Sequence, residues 1–255
     1  MQGGRSNCVF RIGNSVLKVF DPNSSNPLFC NDPDRETSML RALADTGLGP
    51  RLRDVGLNQG LRWILYDHLP GDSWASGTTD VARLLAKVHD QPQPSDMVRG
   101  PNGSVELILQ SHDILHRCAD QQALKLLEPM GSVGQTYDVT LLHGDPVPGN
   151  ILVSEQQIQL IDWQCPVVGD PAEDLAIFLS PAMQFLYRGK ALTPQEETHF
   201  LDAYPYKNRV ARYLDLQPWY LWRMANYCNW RSQDGDPRDH HAMGLEIQKL
   251  KSLNA

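Results

Sequence analysis

Residues 141–163 restrict the fold more than any other part of the chain. Two short apolar runs, 151–153 and 158–161, flank the polar stretch Ser154-Glu155-Gln156-Gln157, a pattern that predicts a β-hairpin. A turn centred near Gln156 leaves Asn150 and Asp162 equidistant from it and roughly opposite each other, so the hairpin delivers an amide oxygen and a carboxylate to one point. Just upstream, Asp145 lies in a turn rich in Pro and Gly, where it can accept a hydroxyl proton and orient an attacking oxygen. Taken singly, Asp and Asn beside Pro and Gly are ordinary turn residues; their joint spacing carries the argument.

The N-terminal part is β-rich. Residues 8–20 read as two runs joined at Gly13-Asn14, a hairpin with Lys18 inside its second strand. A helix follows, with Asp32 as cap, Pro33 at the first position and Gly47 at the end. Glu36, Leu40 and Leu43 fall at i, i+4, i+7, which puts a carboxylate on the buried stripe, where it needs a cationic partner. Lys18 is the candidate; alone it would read as a solvated edge-strand lysine. Residues 62–69 form another strand, broken by Pro70-Gly71-Asp72. Helical patterns follow: 80–89, with Val81, Leu84, Leu85 and Val88 on one face, then 104–127 as one or two helices, and an aromatic-rich 217–230. The reading is an α+β chain with a boundary near 67–71, giving an N-terminal lobe of residues 1–67 and a C-terminal lobe of residues 68–255.

With 255 residues and 41% hydrophobic content the chain can bury a proper core. No run of eighteen apolar residues occurs, and the first residues lack the apolar segment of a secretory signal, so the expectation is a cytoplasmic protein without a membrane partner. A net charge of −7 argues against a nucleic-acid partner and leans toward a cationic small molecule. Five scattered cysteines without CxxC spacing suggest reduced thiols, neither disulfides nor zinc.

The oxygens of Asn150 and Asp162 suit Mg²⁺, which takes only one or two protein ligands and completes its octahedron with water and phosphates. With Lys18 on the phosphates and Asp145 orienting a hydroxyl, the set is sufficient for phosphoryl transfer, where the protein mainly positions groups and neutralises charge. His143 reads as a structural residue that orients the loop rather than as a proton shuttle.

Three segments in order, His143-Gly144-Asp145 with Asn150, then Ile161-Asp162-Trp163, then Gly169-Asp170-Pro171-Ala172-Glu173-Asp174-Leu175-Ala176, resemble the aminoglycoside phosphotransferase and choline kinase-like family. Gly3-Gly4-Arg5-Ser6-Asn7, Lys18 and Glu36 are similar to its small-lobe elements, so the likeness covers nearly the whole chain. It implies a two-lobed protein kinase-like fold, with a mostly antiparallel small lobe, a hinge and a larger, mainly helical lobe. By position it makes Asp145 the catalytic base and Asn150 and Asp162 the metal ligands. Lys18 would hold the α and β phosphates and pair with Glu36. The backbone of Asp67, His68 and Leu69 would meet the adenine, and a loop containing Gly4, Arg5, Ser6 and Asn7 would cover the phosphates. Asp174 would support the catalytic loop by hydrogen-bonding its backbone. Only Met1 and Gln2 precede the phosphate loop, which implies that the family's first strand is absent or nearly so. The implied cosubstrate is ATP, with GTP as the alternative, and the acceptor is a hydroxyl of an aminoglycoside, amino alcohol or sugar-like molecule. A choline or ethanolamine kinase and a catalytically silent nucleotide-binding protein are the rival readings.

The remaining candidates have plainer explanations. Asp170-Pro171-Ala172-Glu173 is a helix-start signature, with Asp170 as cap. Trp219, Trp222, Tyr227 and Trp230 have the spacing of a packed helix, favoured over an aromatic cage for a quaternary ammonium. Asp234, Asp236 and Asp239, near His240 and His241, read as a solvated turn around Gly235 and Pro237.

Overall fold

The computed structural model describes residues 7–253. Strand β1 (Asn7–Ile12) and strand β2 (Ser15–Phe20) form the expected hairpin, with Ile12 opposite Ser15. Gly13, at φ +60°, supplies the left-handed turn conformation that a two-residue hairpin loop demands. Strands β3 (Leu52–Asn58) and β4 (Leu61–Asp67) complete an antiparallel sheet in the order β1-β2-β4-β3. β2 therefore lies inside the sheet, and its alternation buries Val16, Lys18 and Phe20 on one face. Lys18 is a core-facing lysine, not a solvated one on an edge.

Helix α1 (Pro33–Ala42) starts where Asp32 accepts from the amides of Asp34 and Arg35, and it buries Glu36, Met39 and Leu40. Strand β4 ends at Asp67, two residues before the expected end, and β3, which sequence reading left unassigned, runs beside it. The chain then forms the short strand β5 (Asp72–Ser73), helix α2 (Thr78–His89), helix α3 (Ser104–His116) and helix α4 (Gln122–Lys125). Strands β6 (Thr140–Leu142), β7 (Ile151–Val153), β8 (Ile158–Leu160) and β9 (Val167–Gly169) make two small sheets, β5-β7-β8 and β6-β9. These strands carry the two loops between residues 143 and 166 that build the site. Helices α5 (Ala172–Leu179), α6 (Pro181–Arg188), α7 (Pro194–Ala203), α8 (Lys207–Ser232) and α9 (Pro237–Ser252) complete a two-lobed, protein kinase-like fold.

The core runs without a break from Leu40 and Ile64 through the fully buried Trp163 to Phe178, Leu216 and Trp219. α8 is longer than the expected 217–230 and passes through Pro218. Proline costs a helix interior about 3 kcal/mol. Burial of Tyr213, Leu216, Trp219 and Tyr220 around it outweighs that cost. The aromatic residues of this helix are packing residues: Trp222 donates to Leu124 O at 2.8 Å, Trp219 lies in the main core, and Tyr227 meets Phe29 edge-on at 5.1 Å. Asp236 caps α9 by accepting from the Arg238 amide. Asp239 corrects the solvated-turn reading, since it is fully buried with Arg231 Nε 3.8 Å away. No helix among the described residues is long and apolar enough to cross a membrane.

Candidate active site

The hairpin β7–β8 pairs Ile151 with Leu160, and the Ile161 amide donates to Asn150 O at 2.9 Å. The turn is thus centred between Glu155 and Gln156, and Asn150 faces Ile161, one residue short of the expected Asp162. Asp162 follows at φ +65°, a left-handed conformation uncommon for any residue but glycine. That local bend takes Asp162 off the strand path and brings its carboxylate to Lys18 Nζ. Asn150 ends a 3-10 turn (Pro148–Asn150), and its Nδ2 donates to Asp145 O at 2.9 Å and Asp145 Oδ2 at 3.1 Å. With its N–H₂ group so used, the amide oxygen is the atom Asn150 has to offer a cation.

The loop bearing Asp145 is held from below. Asp174, fully buried on α5, accepts from the amides of His143 (2.8 Å) and Gly144 (2.9 Å) and from His89 Nε2 (3.2 Å). Burial alone would raise the Asp174 pKa, but the His89 bond and nearby charges hold it below the usual carboxylate range. His143 Nδ1 accepts from the Asp145 amide at 3.2 Å, which leaves the proton on Nε2 to donate to Ile161 O at 3.1 Å. Burial lowers the pKa of this ring, so it stays neutral and ties the two loops together. Gly144 sits at φ +79°, and a Cβ there would lie 2.1 Å from Cys165 O, so no other residue fits.

Lys18 Nζ donates to Glu36 Oε2 at 2.6 Å, to Asp162 Oδ1 and to Gln164 Oε1 at 2.8 Å. Burial disfavours its charge, but Asp162 and Glu36 outweigh burial and raise its pKa. One ammonium is shared between two carboxylates, so burial and the negative charge of Asp162 push Glu36 up to about 7 against the pull of Lys18. Burial, then the charge of Asp162, pushes Asp145 well above the ordinary carboxylate range. Three carboxylates around one ammonium leave a surplus of negative charge. That surplus, with hard oxygens on Asn150 and Asp162, suits a divalent ion such as Mg²⁺ that draws its other ligands from water and phosphate. Among the described residues, no group of three or more His, Cys, Asp or Glu side chains forms a self-contained metal site.

The structure thus gathers Lys18, Glu36, Asp162, Asn150 and Asp145. Of the expected phosphate loop, Gly4, Arg5 and Ser6 lie outside the described residues. Asn7 is not a loop residue: it opens β1, with its side chain committed to Asn31 Oδ1 (2.7 Å), Gln164 Oε1 (3.0 Å) and the Asp21 amide (3.1 Å). In the expected adenine-binding segment, the Asp67 amide donates to Arg51 O and the His68 amide to Asn14 O, both at 2.9 Å, while the Asp67 carboxylate pairs with Arg53. Leu69 follows beyond the end of β4. Gln164 is the site residue that sequence reasoning missed; its place directly after Asp162-Trp163 was the available signal. Asp170, expected as the cap of α5, lies one residue before the N-cap position, which Pro171 takes; its carboxylate accepts from the Ala172 amide at 3.1 Å and pairs with Arg212 at 2.6 Å.

Over 118 residues the chain is 30% identical to a thiamine kinase of Escherichia coli O157:H7 (strain EC4115 / EHEC), a match spanning 45% of this chain and 42% of that protein's length. The choline kinase LicA from Streptococcus pneumoniae superposes with a TM-score of 0.64 at 19% identity, covering 98% of this chain and 92% of that one. Amicoumacin kinase hAmiN, solved with AMP-PNP, Ca²⁺ and Ami, gives 0.60 at 14% identity over 98% and 86% of the two chains. At these identities the two structures establish the fold. The model of the phosphotransferase enzyme family (APH) matches residues 1–213, most of the chain and every site residue described above, and the protein belongs to that family.

Proposed function

We propose that this protein is a small-molecule kinase that transfers the γ-phosphoryl group of ATP to an acceptor hydroxyl. The observation that carries this reading is the sharing of Lys18 between Glu36 and Asp162, beside an Asp145 whose carboxylate is held by Asn150. Mg²⁺, when bound, would neutralise phosphate charge, and Asn150 and Asp162 are the residues to hold it. Lys18 can exchange its Asp162 contact for phosphate oxygens while Glu36 holds its ammonium. Asp145, fixed through Asn150 and its own amide, orients the acceptor hydroxyl and takes its proton as the bond to phosphorus forms. The Leu69 amide, beyond two amides already engaged, is the donor for the nucleobase; GTP would use the same contact. In this reading residues 1–67 form the nucleotide lobe and 68–255 the catalytic lobe.

The acceptor is a small hydroxylated molecule, and a cationic one of the thiamine or choline type is the second reading, favoured by the thiamine kinase likeness and by the net charge of −7. The same acidity disfavours nucleic acid, and nucleotide use fits a cytoplasmic setting. An ADP-release screen over thiamine, choline, aminoglycosides and simple sugars identifies the acceptor. With it, Asp145→Asn should lower kcat by about 10³ while the Kd for Mg·ATP changes little. Full turnover by that variant would refute the mechanism, and Mg·ATP binding without transfer to any acceptor would favour the silent nucleotide-binding alternative.

A further inference from the structure

Gln164 has no part in the chemistry outlined above, yet its side-chain oxygen lies at a junction. Gln164 Oε1 accepts from Lys18 Nζ at 2.8 Å and from Asn7 Nδ2 at 3.0 Å, and all three side chains are buried. Lys18 lies in the middle of β2, Asn7 is the first residue of β1, and Gln164 belongs to the large-lobe loop that carries Asp162. Asn7 continues the network into the small lobe, donating to Asn31 Oδ1 at 2.7 Å and accepting from the Asp21 amide at 3.1 Å. One neutral oxygen therefore connects the lysine, the strand that follows residues 1–6 and the loop of Asp162.

We propose that Gln164 is a positioning residue for the nucleotide: by accepting from Lys18 and Asn7 together, it locks the phosphate-binding lysine to the start of β1. The inference rests on the kinase reading above. The chemistry explains why an amide serves here. Lys18 already faces Glu36 and Asp162, with Asp145 nearby, and a further carboxylate would add to the negative charge where phosphates must approach. An apolar side chain would leave two buried donors without their shared acceptor. The amide oxygen fixes Lys18 without competing with phosphate for its charge.

The test is calorimetric titration of ATP in EDTA, which reads the placement of Lys18 and the start of β1 without the metal, together with steady-state kinetics. Gln164→Met should raise both the metal-free Kd for ATP and the nucleotide KM by about tenfold, leaving kcat within about threefold. Asn7→Ala should weaken binding in the same way, and because both act through one oxygen, the double variant should be no worse than the poorer single variant. Additive losses would mean that Asn7 meets the nucleotide independently and would overturn the inference. So would an unchanged Kd in either single variant, or a fall in kcat alone. Should Gln164→Met not fold, Asn7→Ala still decides by its Kd. If the unaltered chain binds no ATP at all, the kinase reading itself falls; if it binds and the variants bind equally well, only the role of Gln164 is lost.

Discussion

Each lobe buries a cation against a glutamate, and the two pairs are built on opposite plans. In the large lobe, Arg223 meets Glu173 with two parallel bonds of 2.5 and 3.0 Å, gives a third to Gln110 at 2.7 Å, and both partners are nearly inaccessible. The guanidinium fork matches the carboxylate, and the pair is closed. At the cleft, Lys18 also meets a glutamate at 2.6 Å, but Asp162 and Gln164 compete for the same ammonium, and Asp162 remains 30% exposed. A point charge on a flexible stem with surplus acceptors can be shared anew, as the proposed binding of phosphate and metal requires; a fork filled on both tines cannot. The contrast separates a pair that fastens helix α5 to helix α8 from one suited to the proposed nucleotide site.

Substitution at each cation breaks the comparison if it is wrong. Lys18→Met should lower kcat/KM by about 10³, the scale of losing a preorganised charge on a transferring phosphoryl group. Its cost in stability should be smaller than a buried ion pair suggests, because Glu36, already pushed up to about 7, can take a proton. Arg223→Met should do the reverse. It strands Glu173 in the core and should cost about 3 kcal/mol in urea unfolding, while kcat of the folded fraction is unchanged. Adding Glu173→Leu should recover most of that loss. Equal stability losses at the two sites, or a catalytic loss at Arg223, would erase the distinction.

How much of this was legible depended on how local the signal was. The hairpin that follows Asn150, the turn at Gly13, the Asp32 cap and the place of Glu36 on a buried stripe all follow from short-range period and turn chemistry. The register differs by one residue because the turn centres between Glu155 and Gln156, and the bend that carries Asp162 toward Lys18 arises from a positive φ at a non-glycine residue, which the residue type does not announce. Strand β3 was not singled out because its residues are largely half-buried or exposed and include a bulge, so alternation is weak. α8 extends to Lys207, well before the expected start at 217, because tertiary burial sustains the helix through Pro218. Gln164 owes its role to partners far away in sequence, Asn7 and Lys18, and Asp239 owes its burial to the tertiary packing around α9. No window of sequence contains those relations.

A third buried glutamate sharpens the comparison, because among the described residues it has no closely paired cation. Glu246 on α9 is fully buried; one oxygen accepts from Ser180 Oγ (2.5 Å) and the Ala182 amide (2.9 Å), and the other has no hydrogen-bond partner. Burial pushes its pKa up from 4.5 to about 7. A carboxyl that binds its proton more tightly when folded stabilises the protein only while that proton is present. Stability therefore falls as the pH rises from about 4.5, where the unfolded chain releases the proton, to about 7, where the native state does. Glu246→Gln keeps an oxygen for Ser180 and Ala182 and removes the charge. It should leave stability near pH 4 almost unchanged and raise it above pH 7, on the order of 1–3 kcal/mol. Urea unfolding of both proteins at pH 5 and pH 8 measures the difference. An equal difference at the two pH values would mean that the carboxylate is as well served in the core as Glu173 is by Arg223, and the division between matched and unmatched buried acids would not hold.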